Sequence, residues 1–182
     1  MTGLGSNPKG VLIWMSLVRA QLEELECDAI VNSKNIGDLG EYVAITFLLS
    51  YGVNVYKSVG DNSPSDFIID INNELLKIQV KTSNVKSDKN KTGNVITFPM
   101  CSSQVHRGKD KKRYSVKEVD YFIFYSPLHN KLLIYKNNGK EYSVVIRFNE
   151  NTRQKKNVKF AKDFLLSDFL EKNGYNKLYW SE

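Results

Sequence analysis

The alternation of apolar and polar residues predicts one buried helix followed by a series of short strands. The helix begins at a capping residue, Asn35 or Asp38, and ends at about Ser50, because Gly52 suits the position after a helix C-terminus. Its sequence is apolar on nearly every side, which predicts that the helix is buried. Alternating runs predict strands at residues 54–59, 67–71, 75–82, 95–98, 121–126, 132–136 and 143–148. Residues 163–172 are predicted to form a short helix, and the whole order favours an α/β fold with a mixed central sheet.

Residues 1–35 are predicted to be an N-terminal helical extension, with a helix at residues 11–26, and residues 36–182 to be the main domain. The full length of 182 residues fits one domain plus such an appendage. The apolar run at residues 11–18 is too short to cross a bilayer, and no small-residue cleavage site follows it. We therefore expect a cytoplasmic protein that does not insert into a membrane.

Positive charge is concentrated in one segment of the chain. The sequence has 26 Lys and Arg residues against 20 Asp and Glu residues, a net charge of +6. Residues 1–85 carry a net charge of −4, whereas residues 86–117 carry +7. The segment 86–117 is either a solvated basic loop or a surface that binds a polyanion such as nucleic acid, and its composition leaves both interpretations open.

Cysteine and histidine usage excludes several classes of site. Cys27 and Cys101 have no spacing typical of a disulfide framework or a zinc site, which favours a reducing compartment. His106 and His129 are too few for a histidine-rich metal cluster and are expected at the surface. The sequence also lacks the glycine-rich motifs of nucleotide-driven and dinucleotide-dependent enzymes.

A predicted hairpin brings three polar side chains onto one face of the sheet. Asn72 and Asn73 between two alternating runs indicate a two-residue turn, which pairs residues whose numbers sum to 145. In that register Asp66 lies opposite Gln79, and Lys81 projects from the same face two residues further along. A three-residue turn would break this arrangement, so the prediction depends on the length of the turn.

Glu41 is a second acidic residue of interest, because it shares a helix face with the apolar residues Ala44, Ile45 and Leu48. A carboxylate on an apolar stripe is costly unless it is paired or coordinated, although a place near a helix N-terminus also favours negative charge. Glu41 and Asp66 could supply oxygen ligands to a hard divalent cation such as Mg²⁺, which polarises a phosphodiester and lowers the pKa of a bound water. A nearby lysine can orient that water. An ordinary polar hairpin face would have the same composition, so both interpretations stay open here.

Three short stretches resemble the PD-(D/E)XK nuclease superfamily. They are Gly40-Glu41 in the helix, Pro64-Ser65-Asp66 before the second strand, and Ile78-Gln79-Val80-Lys81-Thr82 in the third strand. The surrounding residues 37–83 look most like the branch that contains group I intron-encoded homing endonucleases, and the similarity extends to about residue 170. This resemblance implies a restriction-endonuclease-like core, with a mixed central sheet flanked by helices.

The resemblance also implies a role for each residue of the motif. Asp66 would be the central metal ligand, Glu41 a second acid that assists metal binding, and Lys81 the catalytic lysine. Val80 would offer its backbone carbonyl to the metal. Gln79, which counts as part of the catalytic set, occupies the position where most of the superfamily has an acid, and the intron-encoded branch tolerates glutamine there.

The function implied by the resemblance is a Mg²⁺-dependent endonuclease that hydrolyses double-stranded DNA, with Mn²⁺ as a substitute for Mg²⁺. To cut both strands it would assemble as a homodimer or homotetramer. A structure-specific nuclease such as a Holliday junction resolvase, and a DNA-binding module without catalysis, are the alternatives. The segment 86–117 directly follows the catalytic hairpin, so its basic and polar side chains are expected to contact DNA. These residues are Lys86, Lys89, Lys91, Gln104, Arg107, Lys109, Lys111, Lys112, Arg113 and Tyr114.

Overall fold

The computed structural model describes residues 33–57, 63–83, 94–102, 111–149 and 158–178. All of them lie in one compact unit that spans Ser33–Leu178. The helix predicted at residues 11–26, together with the rest of the chain up to residue 32, lies outside the described residues. Among the helices of the described ranges, none has the length and apolar character that a membrane crossing requires.

The described elements follow the predicted order of a helix, a series of strands and a C-terminal helix. Helix α1 (Ser33–Leu49) precedes β1 (Asn54–Lys57), β2 (Phe67–Ile71) and β3 (Glu74–Thr82). The remaining strands are β4 (Val95–Pro99), β5 (Tyr121–Ser126), β6 (Lys131–Lys136) and β7 (Ser143–Arg147). A 3₁₀ turn at Ala161–Phe164 and helix α2 (Leu166–Lys172) come last. The short helix predicted at residues 163–172 is confirmed at Leu166–Lys172, but it starts later than predicted because Leu165 has an extended backbone (ψ 131°) that separates it from the 3₁₀ turn.

The central sheet has five strands in the order β1-β2-β3-β5-β6, and β4 pairs with β7 in a separate two-stranded sheet. The central sheet is mixed, since β3 and β5 run parallel whereas the other neighbouring strands are antiparallel. The α/β class and the mixed sheet are thus confirmed. Strands β4 and β7 do not belong to the central sheet, and their alternating sequences do not show this.

The β2–β3 hairpin has the predicted two-residue turn. Asn72 and Asn73 adopt φ values of 54° and 67°, in the left-handed region that asparagine tolerates and that this kind of turn requires. Ile71 pairs with Glu74, and the same register continues to Phe67 and Ile78, so the predicted pairing is confirmed over the length of β2. The register decides which side chains of β3 face each side of the sheet.

Each face of the central sheet covers its own hydrophobic core. One face packs against α1 and α2, and its buried side chains include Leu48, Ile78 and Leu166. The other face packs against the β4–β7 sheet, where Phe98 stacks on Phe124 with the ring centroids 4.5 Å apart. Burying a side chain of this size contributes about 1.5–3 kcal/mol. Within the described residues, helices therefore flank one face, and the two-stranded sheet covers the other.

Helix α1 buries one side rather than its whole circumference. Ala44 and Leu48 are fully buried at a spacing of four residues, whereas Tyr42 and Leu49 are 64% and 54% exposed. The prediction of a helix buried on nearly every side is therefore wrong, because a helix that lies on one face of a sheet presents only one stripe to it. Gly52, with a φ of 73°, follows the helix as predicted.

Candidate active site

Three polar residues of the predicted constellation meet at the edge of the sheet where β2 begins and β3 ends. Asp66 directly precedes β2, and its backbone N–H donates to the carbonyl of Ile78, the residue that also pairs with Phe67, at 2.8 Å. The regular pairing ends at Phe67 and Ile78, so Asp66 meets Gln79 through its side chain, and Lys81 projects from the same face as Gln79. Ile78 and Val80 point the other way, into the core beneath α1.

Two hydrogen bonds to β3 hold the Asp66 carboxylate. Its Oδ2 atom accepts from the Val80 backbone N–H at 2.7 Å and from the Gln79 side-chain Nε2 at 2.6 Å. Burial raises the pKa of Asp66 to about 6; the charge of Glu41 adds to this rise, and the hydrogen bond from Val80 and the charge of Lys81 oppose it. Both hydrogen bonds end on Oδ2, so the described residues leave Oδ1 available as an acceptor.

Glu41 reaches the same region because Gly40 lets α1 approach the end of β3. A β-carbon at Gly40 would overlap the Thr82 hydroxyl oxygen, so any larger residue would push the helix or the Thr82 side chain away. Glu41 itself is half-buried, and its negative charge acts on both Asp66 and Lys81. Glycine is thus required before Glu41 for the close approach of α1 to β3, which the sequence alone does not show.

Lys81 is half-buried beside an aromatic ring. Its Nζ lies 5.3 Å from the centroid of the Tyr114 ring, within cation–π range. Burial lowers the pKa of Lys81, while the negative charges of Asp66 and Glu41 oppose that decrease. A half-buried lysine on which the charges of two carboxylates act is the kind of group that takes part in proton transfer or charge stabilisation.

Tyr114 was predicted as a DNA contact, and it lies over Lys81. Its ring packs edge-on against Phe122 with the centroids 5.8 Å apart, and its carbonyl accepts from the Asn137 side chain at 3.2 Å. Burial, together with the charge of Asp66, raises the pKa of Tyr114 to about 12. The phenol therefore stays protonated and can donate a hydrogen bond at neutral pH.

The oxygen atoms of the site fit a hard divalent cation. The carboxylates of Asp66 and Glu41 and the carbonyl of Val80 are ligands of the type that Mg²⁺ prefers. The Val80 carbonyl accepts a long hydrogen bond, 3.3 Å, from Gln79 Nε2. The described ranges contain no group of three or more His, Cys, Asp and Glu side chains suited to a metal. A cation at this site would have the two carboxylates and the carbonyl as protein ligands, with water completing the shell.

Lys57, at the end of β1, is a residue of this region that the sequence patterns did not single out. Its Nζ donates to Glu41 Oε2 at 3.0 Å and lies 5.4 Å from the centroid of the Tyr42 ring. The hydrogen bond to Glu41 raises the pKa of Lys57. Lys57 pairs with Phe67, the residue after Asp66, so only the pairing of β1 with β2 shows that it belongs here.

The basic candidates divide into two groups. Lys111, Lys112 and Arg113 are exposed. Lys112 pairs with Glu118 at 2.8 Å, and the Arg113 guanidinium donates to the Lys140 carbonyl at 3.0 Å, so two of these cations have partners within the protein. The other predicted DNA contacts lie outside the described residues, namely Lys86, Lys89, Lys91, Gln104, Arg107 and Lys109.

The described cysteine and histidine have no place among the candidate ligands. Cys101 is buried with a free thiol. His129 stacks on Phe148 with the ring centroids 3.8 Å apart, so it is half-buried where a surface position was expected. Cys27 and His106 lie outside the described residues.

Comparisons with known proteins agree with this architecture. Residues 31–167 match the model of the PD-(D/E)XK endonuclease family. Among solved structures, a bacterial homing endonuclease, I-Ssp6803I, matches with a TM-score of 0.60 and 26% sequence identity, covering 77% of this chain and 93% of that chain. A search of curated proteins gives no match. The restriction-endonuclease-like fold is confirmed by this structural match, and the resemblance found in the sequence is confirmed with it. The chain therefore belongs to the PD-(D/E)XK endonuclease family and is a nuclease.

Proposed function

We propose that the chain is a Mg²⁺-dependent endonuclease that hydrolyses phosphodiester bonds in double-stranded DNA, with Mn²⁺ as a substitute metal. One observation carries the proposal. The β2–β3 hairpin holds the Asp66 carboxylate against the Val80 backbone, with Lys81 on the same face of the sheet, and Glu41 approaches from α1. The family and the similar homing endonuclease support DNA as the substrate.

Each residue has its own part in the proposed reaction. Asp66, Glu41 and the Val80 carbonyl would hold the metal, and Gln79 keeps the Asp66 carboxylate in place through the 2.6 Å hydrogen bond. When bound, a divalent cation lowers the pKa of a coordinated water and polarises the scissile phosphate. Lys81 orients or deprotonates the attacking water and stabilises the negative charge that develops on the phosphate. Because burial lowers its pKa, Lys81 gives up a proton more readily than an exposed lysine does.

The DNA would pass along the basic segment 86–117. Tyr114 lies over Lys81, and the exposed side chains of Lys111, Lys112 and Arg113 immediately precede it in the chain. Cations that lie beside a DNA strand neutralise phosphates and position the duplex without reading its sequence. One site cuts one strand, so cleavage of both strands calls for a homodimer or homotetramer with symmetric sites.

Plasmid nicking in Mg²⁺ or Mn²⁺ tests the proposed site. Asp66→Ala and Lys81→Ala should each slow cleavage by at least about 100-fold, because a metal ligand or a group that acts on the attacking water is lost. DNA binding, measured by fluorescence anisotropy in Ca²⁺, should stay close to that of the wild type. Asp70→Ala and Lys77→Ala are the matched controls, since Asp70 lies on β2 and Lys77 on β3, nearer the turn of the same hairpin. Both should cleave at the wild-type rate.

The outcomes separate the proposal from its alternatives. Retained cleavage in both Asp66→Ala and Lys81→Ala would contradict the assignment of the site. Binding without any nicking by the wild type, in either metal, would point to a DNA-binding module without catalysis. Cleavage of a synthetic four-way junction in preference to linear duplex would replace the homing-type substrate with a structured one.

A further inference from the structure

Lys57 places an ammonium group directly on one of the two proposed metal-binding carboxylates. Its Nζ is 3.0 Å from Glu41 Oε2, the distance of a charge-assisted hydrogen bond. The ring of Tyr42 lies 5.4 Å from the same Nζ and adds a cation–π contact. The negative charges of both Glu41 and Asp66 act on Lys57. Lys57 is thus a counter-charge of the acidic pair.

The pairing of the strands explains why Lys57 meets Glu41. Strand β1 is the edge strand of the central sheet and runs antiparallel to β2. Lys57 pairs with Phe67, whose side chain points into the core beneath α1, so Lys57 projects from that same face. The helix that carries Glu41 lies on this face. Asp66 immediately precedes Phe67, which brings both carboxylates to the end of β1.

We propose that Lys57 is an internal counter-cation that a divalent metal must displace from Glu41, and that it thereby sets the metal affinity of the site. The inference rests on the proposed function, because it takes Glu41 as a metal ligand. The ammonium and the metal compete for the same carboxylate group, and two cations on one carboxylate repel each other. The side chain of Lys57 is 50% exposed, so solvent limits the strength of the ion pair. Loss of the ion pair and loss of the repulsion together correspond to a change in affinity of about threefold to tenfold.

Calorimetric titration of the full chain with Mn²⁺ tests this role without any cleavage assay. Lys57→Met should bind Mn²⁺ about threefold to tenfold more tightly than the wild type. Lys57→Arg keeps the positive charge and should stay within about twofold of the wild type. The matched control is Lys159→Met. Lys159 pairs with Glu141 at 2.9 Å with comparable exposure, so this variant loses the same charge and the same kind of ion pair, and its Mn²⁺ affinity should not change.

Asp66→Ala distinguishes failure of this inference from failure of the proposed function. If Asp66→Ala binds Mn²⁺ as tightly as the wild type, the proposed metal site is wrong, and the role of Lys57 is wrong with it. If Asp66→Ala loses binding while Lys57→Met binds no more tightly than the wild type, the metal site stands and the counter-cation role is overturned. Equal tightening in Lys159→Met would also overturn it, since net charge would then account for the effect. Thermal melting by circular dichroism verifies that each variant is folded.

Discussion

The raised pKa of Asp66 predicts that ionisation of this carboxyl lowers the free energy of unfolding when no metal is bound. Burial raises the pKa of this carboxyl from its ordinary 3.8 to about 6. The ionised carboxylate is therefore less favourable in the folded protein than in the unfolded chain. At about 1.36 kcal/mol per pKa unit, the shift lowers the free energy of unfolding by up to about 3 kcal/mol once the group is fully ionised.

Asp66→Asn removes the ionisable group and keeps an oxygen that can accept the hydrogen bonds from Val80 and Gln79. Without metal, the variant should be more stable than the wild type by about 1–3 kcal/mol near pH 8. Because the pKa in the folded protein lies above the ordinary value, the folded state holds more protons between pH 3.8 and about 6. Wild-type stability therefore falls as the pH rises through this window, and the advantage of Asn should shrink to less than about 1 kcal/mol near pH 4.

Urea denaturation followed by circular dichroism, in EDTA and across this pH range, measures the difference. Added Mn²⁺ should stabilise the wild type and leave Asp66→Asn unchanged, because a ligand that binds only the folded state raises its stability. The reasoning would be refuted by a variant no more stable than the wild type near pH 8. A gain in stability that is the same at every pH would refute it as well, since the advantage would then not come from ionisation of Asp66.

Two further changes test the approach of α1 and the contact with DNA. Gly40→Ala should lower the free energy of unfolding by about 1–3 kcal/mol, because its β-carbon overlaps the Thr82 hydroxyl. In a double-mutant cycle, the double variant with Thr82→Ala should recover most of that loss. Additive losses in the two single variants would contradict the contact. The second change replaces basic residues of the segment 86–117 with alanine, at Lys109, Lys111, Lys112 and Arg113. DNA affinity should fall, and its dependence on log salt concentration should weaken by roughly 0.9 per lost phosphate contact. An unchanged salt slope would show that the segment lies off the DNA.

Strand periodicity was enough to predict the hairpin and the arrangement of its side chains. Two adjacent asparagines determine a two-residue turn, and the alternation of β3 then places Gln79 and Lys81 on one face, where Gln79 meets the Asp66 carboxylate. These relations involve neighbouring residues on a regular backbone, so they can be predicted from the spacing of the residues along the chain. The resemblance to the nuclease superfamily depends on the same short stretches, which is why it could be stated before the fold was known.

Relations between separate elements were not predictable in the same way. Strands β4 and β7 alternate just as the central strands do, and their own residues do not show that they form a second sheet. Helix α1 has more apolar residues than one face of a sheet can cover, so its composition predicts more burial than the structure shows. Tyr114 belongs to a basic stretch, and only the packing of that stretch against Phe122 puts its ring over Lys81.

By itself, the sequence determined the superfamily, the register of the hairpin and the side of the sheet from which the polar residues project. The tertiary structure decided how closely Glu41 approaches them and which cation meets it. Gly40 contacts Thr82, and Lys57 reaches Glu41, across the interface between a helix and a sheet. Spacing along the chain describes a residue's neighbours on its own element. Contacts between elements depend on how the elements pack together, and at this site that packing sets the charge around Glu41.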